Sequence, residues 1–334
     1  MKKRMYRLLV CASITALVFW FAACSGGGSS NEGSSGLTYS GETSPATITE
    51  DNAGTLATSA LDAGSNGSAF NLTGLATLSG VDSGTDASDQ PMLLGFVRVL
   101  EDAVGDVDFA AVSEQNVSAA AQSENGSLAG SCGGNASYSI SGNSNTGEFS
   151  GKFSFNGFCA DGLTMNGSAS FSGIVDMATD TLESFIFTFG AMTATSGSES
   201  VTLKGRIAFT VSDSTITMNL TIKNNTNGWM CKVENYVMVV DDQSSYTAIS
   251  VSGRYYDQDY GYVELITNEP LRYYPAGEYP YYGKLTLYGA IGVGNGETSA
   301  VITAIDATHC QVEVDSVGIG TCSIVYDSIL WSDL

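Results

Sequence analysis

The chain has one histidine, five prolines and 13 Lys+Arg against 35 Asp+Glu in 334 residues. Each shortage removes a class of function. With His309 as the only imidazole, metal sites built from several imidazoles are excluded. His309 adjoins Cys310, but consecutive strand residues face opposite sides of a sheet, so the two make a poor nucleophile–base pair. A formal charge of −22 repels a phosphate backbone, which argues against a nucleic-acid partner. Scarce proline and the 43% apolar content exclude collagen-like and generally disordered chains, because enough apolar surface exists for a sizeable core. Only one stretch approaches membrane-spanning length, so a polytopic membrane protein is excluded.

That stretch opens the chain. Lys2, Lys3, Arg4 and Arg7 form a basic head, and Leu8 to Ala23 is an uninterrupted run of apolar and small residues. It is short for a spanning helix and fits the apolar region of a secretory signal. It ends Phe21-Ala22-Ala23-Cys24, followed by Ser25-Gly26-Gly27-Gly28. Small residues at the last two positions before a Cys resemble the lipobox of bacterial lipoproteins, although Phe21 stands where those proteins usually carry Leu. The resemblance covers residues 1–24 and implies that residues 1–23 are removed and that Cys24 is acylated on its thiol. An Asp after the Cys would mark inner-membrane retention; Ser25 stands there, so the resemblance implies the outer membrane. Without residues 1–23, which carry four basic and no acidic residues, the 13 Lys+Arg fall to 9 and the net charge is −26. Residues 24–36 are then a lipidated Cys and a Gly/Ser tether with an r.m.s. reach of about 20 Å.

Residues 37–130 read as a mixed segment with two helices. Thr47-Ile48-Thr49 reads as a short strand end. Thr49 is placed to cap a helix over Glu50 to Leu61, with Leu56, Ala57, Ala60 and Leu61 on one stripe. A second helix is expected over Asp89 to Val104, where Ser88 is the N-cap, Pro91 sits in the first turn, and Met92, Leu93, Phe96, Val97, Leu100 and Val104 recur at helical spacing. The stretch between these helices and Ser113 to Ser131, rich in Ser, Asn, Gly and Ala, read as loops with short, weak elements.

From residue 131 to 334 the period is two. Val201, Leu203, Ile207 and Phe209 alternate with Thr202, Lys204, Arg206, Ala208 and Thr210; Ile216, Met218, Leu220 and Ile222 alternate with Thr and Asn; Leu163 to Val175 and Leu285 to Val293 do the same. Alternation of this kind is the mark of antiparallel strands with one buried and one wet face. About ten to twelve such runs, separated by turns such as Ser212-Asp213-Ser214 and Gly294-Asn295-Gly296, predict a meander that curls, closes or splits into two sheets. The expected fold is α+β and mainly β: a long curved antiparallel sheet, open or closed into a barrel-like meander, with a few N-terminal helices on one side. The body also resembles, in texture and without a diagnostic motif, β-rich secreted lipoproteins of Gram-negative bacteria, a likeness that imports no function.

Five cysteines follow Cys24, and outside the cytoplasm disulfides are their default use. A hairpin centred on Ser144-Asn145-Thr146-Gly147 places residue 138 opposite 153 and 132 opposite 159. Ala136, Tyr138 and Ile140 then share a face with Cys132, and Phe149, Phe153 and Phe155 share one with Cys159, so a Cys132–Cys159 bond is expected. Cys310 and Cys322 are opposed, and expected to bond, if their turn centres near Ser316; centred on Gly318 they are staggered and cannot. Cys231 is the leftover, either buried or the true partner of one of these two.

Chemistry has little to build on. Gly292 to Gly296 lacks the following helix and Lys of a phosphate loop and reads as a hairpin turn. Asp315 to Gly320 outlines a calcium turn without enough acids, and Asp257-Gln258-Asp259 fits a calcium pair and equally an exposed turn. No spacing singles out a carboxylate pair for glycoside hydrolysis. No catalytic, cofactor-binding or metal residue is therefore named. The conspicuous feature is aromatic: ten of the sixteen Tyr fall between Tyr255 and Tyr288. Tyr273, Tyr274, Tyr279, Tyr281 and Tyr282, in a Pro-punctuated run, are the candidate binding patch, since Tyr offers a broad ring and a polar tip at low entropy cost. The alternative is that these rings cover a sheet end or blunt an edge strand.

These readings converge on an expectation of a lipoprotein held to the outer membrane by Cys24, serving as a non-enzymatic binding or surface-structural module for a protein, glycan or lipid ligand. The alternatives are a carrier of lipid or another apolar ligand, and a hydrolase with a carboxylate site. For the first, Tyr279→Ala and Tyr281→Ala are expected to weaken attachment without unfolding the chain.

Overall fold

The computed structural model describes residues 36–62 and 122–334, apart from 144, 161, 177–180, 211, 275, 276, 278 and 323. The segment expected to be removed, the expected tether up to residue 35 and the helix expected over 89–104 lie outside the described residues.

One antiparallel sheet of fourteen strands makes up the body, and its spatial order is its sequence order. The strands are β1 (Gln122–Ala129), β2 (Gly133–Gly142), β3 (Glu148–Ala160), β4 (Leu163–Asp176), β5 (Thr181–Ser196), β6 (Glu199–Thr210), β7 (Thr215–Asn224), β8 (Met230–Gln243), β9 (Tyr246–Asp257), β10 (Gly261–Tyr273), β11 (Tyr282–Ile291), β12 (Glu297–Ala304), β13 (His309–Asp315) and β14 (Ile324–Leu330). β1 and β14 are not paired with each other, so the sheet is open. It is longer than the sequence pattern implied, and it begins before residue 131: Gln122–Ala129, in a segment read as loop with short, weak elements, is a full edge strand. An edge strand needs only one ladder, and the polar run Gln-Ser-Glu-Asn-Gly-Ser supplies it without an apolar stripe while blunting the open edge.

The expected alternation sorts the two faces. Val201, Leu203 and Ile207 of β6 are buried, as are Ile216, Met218, Leu220 and Ile222 of β7. Where the parity of the pattern changes, the strand bulges. In β5 the buried set runs Phe185, Phe187, Phe189 and then Met192, Ala194, with the register shift between Phe189 and Met192. In β8 Cys231 and Val233 give way to Tyr236, Met238 and Val240 across a shift at Asn235, whose φ is 48°. Such bulges bend and twist a strand. The inner face of β3 to β5 is a run of Phe rings: Phe153 meets Phe171 at 5.0 Å, Phe171 meets Phe185 at 6.0 Å, and Phe185 meets Phe187 at 4.4 Å. Each buried ring contributes about 1.5–3 kcal/mol.

One helix is described, α1 (Glu50–Asp62). Its stripe, Ala53, Leu56, Ala57, Ala60 and Leu61, is buried against the β9, β12 and β13 end of the sheet, and Tyr236 donates from its hydroxyl to the Ala60 carbonyl at 3.1 Å. Thr49 occupies the expected cap position, but the hydrogen bond runs the other way round: its own N–H donates to Asn52 Oδ1 at 2.8 Å, and Asn52 Nδ2 reaches back to the Thr47 carbonyl. Glu50 and Asp51 place negative charge on the first turn, where the helix dipole favours it.

The residues leading into α1 form a strap: Thr47-Ile48-Thr49, expected as a short strand end, is not in a strand, and the chain before it makes a single bridge, Pro45 to Tyr262. Glu42 N–H donates to the Gln258 carbonyl, Tyr262 N–H to Ser44, Ala46 N–H to Tyr262, and Ala290 N–H to Ala46. Ala46 thus lies between β10 and β11 beyond their last paired residues, Glu264 and Tyr288, and takes up the backbone groups freed where these strands part. Gly289 makes room for it; a Cβ there would sit 2.2 Å from the Ala46 carbonyl oxygen.

Cys132 and Cys159 are bonded, with Cα atoms 5.1 Å apart. Tyr138 faces Phe153 as the hairpin arithmetic required, and the ladder holds that register from residue 135 to 142 before a bulge near Gly157. The Cys310–Cys322 bond does not form. Val314 pairs with Ile324 and Val312 with Tyr326, so the turn centres past Gly318; Cys310 lies opposite Ile329, while Cys322 stays in the turn. Cys231 is a buried thiol at the start of β8.

Candidate functional site

Because the meander alternates, its connections fall at two ends. Turns 258–260, 292–296 and 316–323 share one end with the strap; the connections 244–245, 274–281 and 305–308 share the other with the C-terminus. The Tyr-rich run therefore sits at the end opposite the one where the strap meets the sheet.

The structure divides the five candidate tyrosines. Tyr273 is buried at the end of β10. Tyr279 packs against the core with its ring parallel to that of Trp331, centroids 6.1 Å apart. These two hold the sheet end together, as the alternative reading had it, and Tyr279→Ala would disturb packing as well as any contact. Tyr274, Tyr281 and Tyr282 form the outward part. Tyr274 stacks on Tyr281 at 4.0 Å, and Tyr274 is 53% and Tyr282 42% exposed.

Sequence reasoning missed the group at the centre of this patch. Arg272 lies between the Tyr246 and Tyr282 rings, 4.9 and 4.6 Å from their centroids, and its Nε is buried without a hydrogen-bond partner. Tyr282 donates to Glu269 Oε2 at 2.7 Å, a bond that raises its hydroxyl pKa. Arg272 and Tyr282 face each other in the β10–β11 register, which brings them together from ten positions apart; Tyr246 arrives from β9, and only the strand order could reveal it. The patch offers two ring faces, a stacked Tyr pair, a cation held between rings and one carboxylate.

Several remaining tyrosines serve the sheet. On the outer face of β8, β9 and β10, Lys232 bridges Glu234 at 3.0 Å and lies 4.5 Å over Tyr256, while Arg254 bridges Glu264 and lies 4.3 Å over Tyr262. Tyr256 donates to Glu234 at 2.8 Å; this bond and the Lys232 bond hold that carboxyl below its usual range. Two cations and two carboxylates satisfy one another, so the ladder staples strands. Tyr255 is wholly buried on the inner face.

The other sequence candidates are turn devices. Asp257 Oδ1 accepts from the N–H groups of Asp259 and Tyr260, and burial raises its carboxyl pKa. Asp315 accepts four backbone N–H groups, from Val317, Gly318, Ile319 and Gly320 at 2.7–3.2 Å. Burial opposes its charge, but these four donors outweigh it and lower the pKa. Gly292 to Gly296 is the β11–β12 turn, as its sequence indicated. His309 Nδ1 lies 2.8 Å from Thr308 Oγ1 and 3.3 Å from Asp306, all within one exposed turn; hydrogen bonds from Thr308 hold Asp306 down to about 2. Burial pushes the thiol of Cys231 up, and that of Cys310 up to about 12, so neither is a ready nucleophile. Among the described residues, no three His, Cys, Asp or Glu side chains are grouped to hold a metal ion.

Comparison with family models, with curated proteins and with solved structures finds no match to this chain. Its function is therefore read from its own geometry.

Proposed function

We propose that this chain is a lipoprotein tethered to the outer membrane through Cys24, and that its β body is a non-enzymatic binding module whose working end is the Tyr246–Arg272–Tyr282 patch with the Tyr274–Tyr281 stack beside it. The supporting observation is the placement of that patch at the end of the sheet away from the strap, so that a body held by its N-terminus presents the rings outward. The chemistry suits a glycan. Ring faces take the C–H face of a sugar, and the Arg272 N–H groups and the Glu269 carboxylate are donors and acceptor for hydroxyls. The inner face of β3 to β5 is occupied by its own Phe rings, which favours this reading over a carrier of apolar ligands.

Two measurements test it. Palmitate should be incorporated into the full chain and lost in Cys24→Ala. On a glycan array, the full chain in detergent should retain a sugar ligand, and Tyr282→Ala should weaken retention about tenfold without lowering the melting temperature. Absence of acylation overturns the anchor; absence of Tyr282-dependent retention overturns the glycan reading.

A further inference from the structure

At the strap end, two turns present apolar side chains to water. Val293 is 91%, Ile291 74% and Ile319 59% exposed. A soluble chain gains nothing from holding three such residues together, unless something covers them. The turns that carry them are fastened to one another. Gly294 N–H donates to the Val317 carbonyl at 2.7 Å and Gly296 N–H to the Gly318 carbonyl at 2.9 Å, while Gly292 N–H closes the first turn on the Gly296 carbonyl at 2.8 Å. Gly318, at φ 72°, comes so close that a Cβ would lie 2.0 Å from the Gly296 carbonyl oxygen. The Asp315 carboxylate caps the second turn from inside with its four N–H bonds. The result is a braced tip with apolar side chains pointing outward.

The tip is also uncharged within a strongly acidic chain. No charged residue lies between Lys284 and Glu297, and none between Asp315 and Asp327. Acidic residues lie at the same end of the sheet: Glu297 directly after the first turn, and Glu42 and Asp259 at the β9–β10 turn. Such a surface suits neutral apolar material and repels anionic headgroups.

What covers it follows from where the strap meets the sheet. The strap reaches the sheet at this same end, with Tyr39 donating to the Asp257 carbonyl and Glu42 N–H to Gln258. From β9–β10 to the paired turns is two to four strands, roughly 10–20 Å at the spacing of a sheet. The Gly/Ser composition of residues 25–36 gives a reach of about 20 Å. An acyl chain on Cys24 therefore brings this end of the body within range of the bilayer.

We infer that the paired turns 292–296 and 316–320 are a second membrane contact, in which Ile291, Val293 and Ile319 enter the zwitterionic bilayer that holds Cys24 and so set the tilt of the body. The inference rests on the lipid-anchor reading. It also explains the bracing: an insertion tip that is rigid beforehand loses little conformational entropy on entering the lipid.

The test uses the full acylated chain carrying Val293→Trp, bound to phosphatidylcholine vesicles with or without brominated acyl chains. The mass of the N-terminal peptide reports acylation of Cys24 independently. The indole at position 293 should lose emission in brominated vesicles relative to plain ones, beyond any change in the parent chain. Adding Ile319→Asp should abolish that loss; burying each aliphatic side chain is worth about a tenfold change in partition or more. An acylated, vesicle-bound chain with equal emission in both lipids overturns the tip and leaves the anchor standing. Concentration-dependent dimers lost in Val293→Ser, with no quenching by lipid, would make the occupant a second copy and likewise overturn the inference. An unacylated Cys24 overturns the anchor reading, and with it the inference that rests on it.

Discussion

Replacing Asp315 probes the structural device on which the strap-end tip depends. Its two carboxylate oxygens accept four backbone N–H groups: Oδ1 those of Val317 and Gly318, Oδ2 those of Ile319 and Gly320. Asp315→Ala removes all four acceptors and strands at least the buried Gly318 N–H. A stranded buried donor costs about 1–3 kcal/mol and the charge-assisted bonds add to this, so a loss of about 2–4 kcal/mol is expected. Asp315→Asn is more telling. Its single carbonyl oxygen can keep Val317 and Gly318, but its amide then meets the Ile319 and Gly320 donors with donors of its own. It should cost about 1–2 kcal/mol, close to half the alanine effect. The pH dependence follows in sign. The carboxyl is held below its usual range in the folded chain, so its contribution is complete above about pH 4 and is lost as the pH falls through the folded-state value. Urea titrations of the parent chain and Asp315→Asn at pH 7 and pH 3 would measure this, with the gap in midpoint expected to narrow at the lower pH. If the two chains match within about 0.5 kcal/mol at pH 7, or the gap is the same at both pH values, the carboxylate is not what braces the turn.

Other consequences are as direct. Loss of the Cys132–Cys159 bond in Cys132→Ser should lower stability by about 3.5 kcal/mol, from the closure entropy of a loop with separation 27, read by denaturant titration with and without reductant. Gly289→Ala should cost about 1–3 kcal/mol and speed proteolysis of the strap, because the new methyl collides with the Ala46 carbonyl. In thiol labelling of the folded chain, half-buried Cys322 should react well before buried Cys231 and Cys310, and unfolding should equalise them. Tyr273→Ala should lower the melting temperature markedly, at about 3–5 kcal/mol, while Tyr282→Ala should leave it nearly unchanged, which separates core from patch in one calorimetric comparison.

The Tyr-rich run shows how little residue type alone says about role. Tyr255 and Tyr256 are neighbours, yet one is wholly inside and the other lies under Lys232 in an outer-face ladder. Alternation predicts that they face opposite ways but cannot tell which way is in. Tyr279 and Tyr281 looked equivalent; Trp331, from the last turn of the chain, takes one and Tyr274 takes the other.

The strand pattern, the cap position of α1 and the Cys132–Cys159 pair were readable from residue order, because each depends on a short period or on parity across one tight turn. A side chain's face repeats every two residues whatever the sheet later does. Strand order, the open edges, the wedge of Ala46 between β10 and β11, the grip of Tyr246 and Tyr282 on Arg272, and the meeting of the two glycine turns were settled in three dimensions. So was the Cys310–Cys322 separation, since an eight-residue connection leaves the turn centre free until β13 finds its register against β14. Those features join segments far apart in the chain. Their energies come from contacts that exist only once the sheet has assembled, and no local period encodes them.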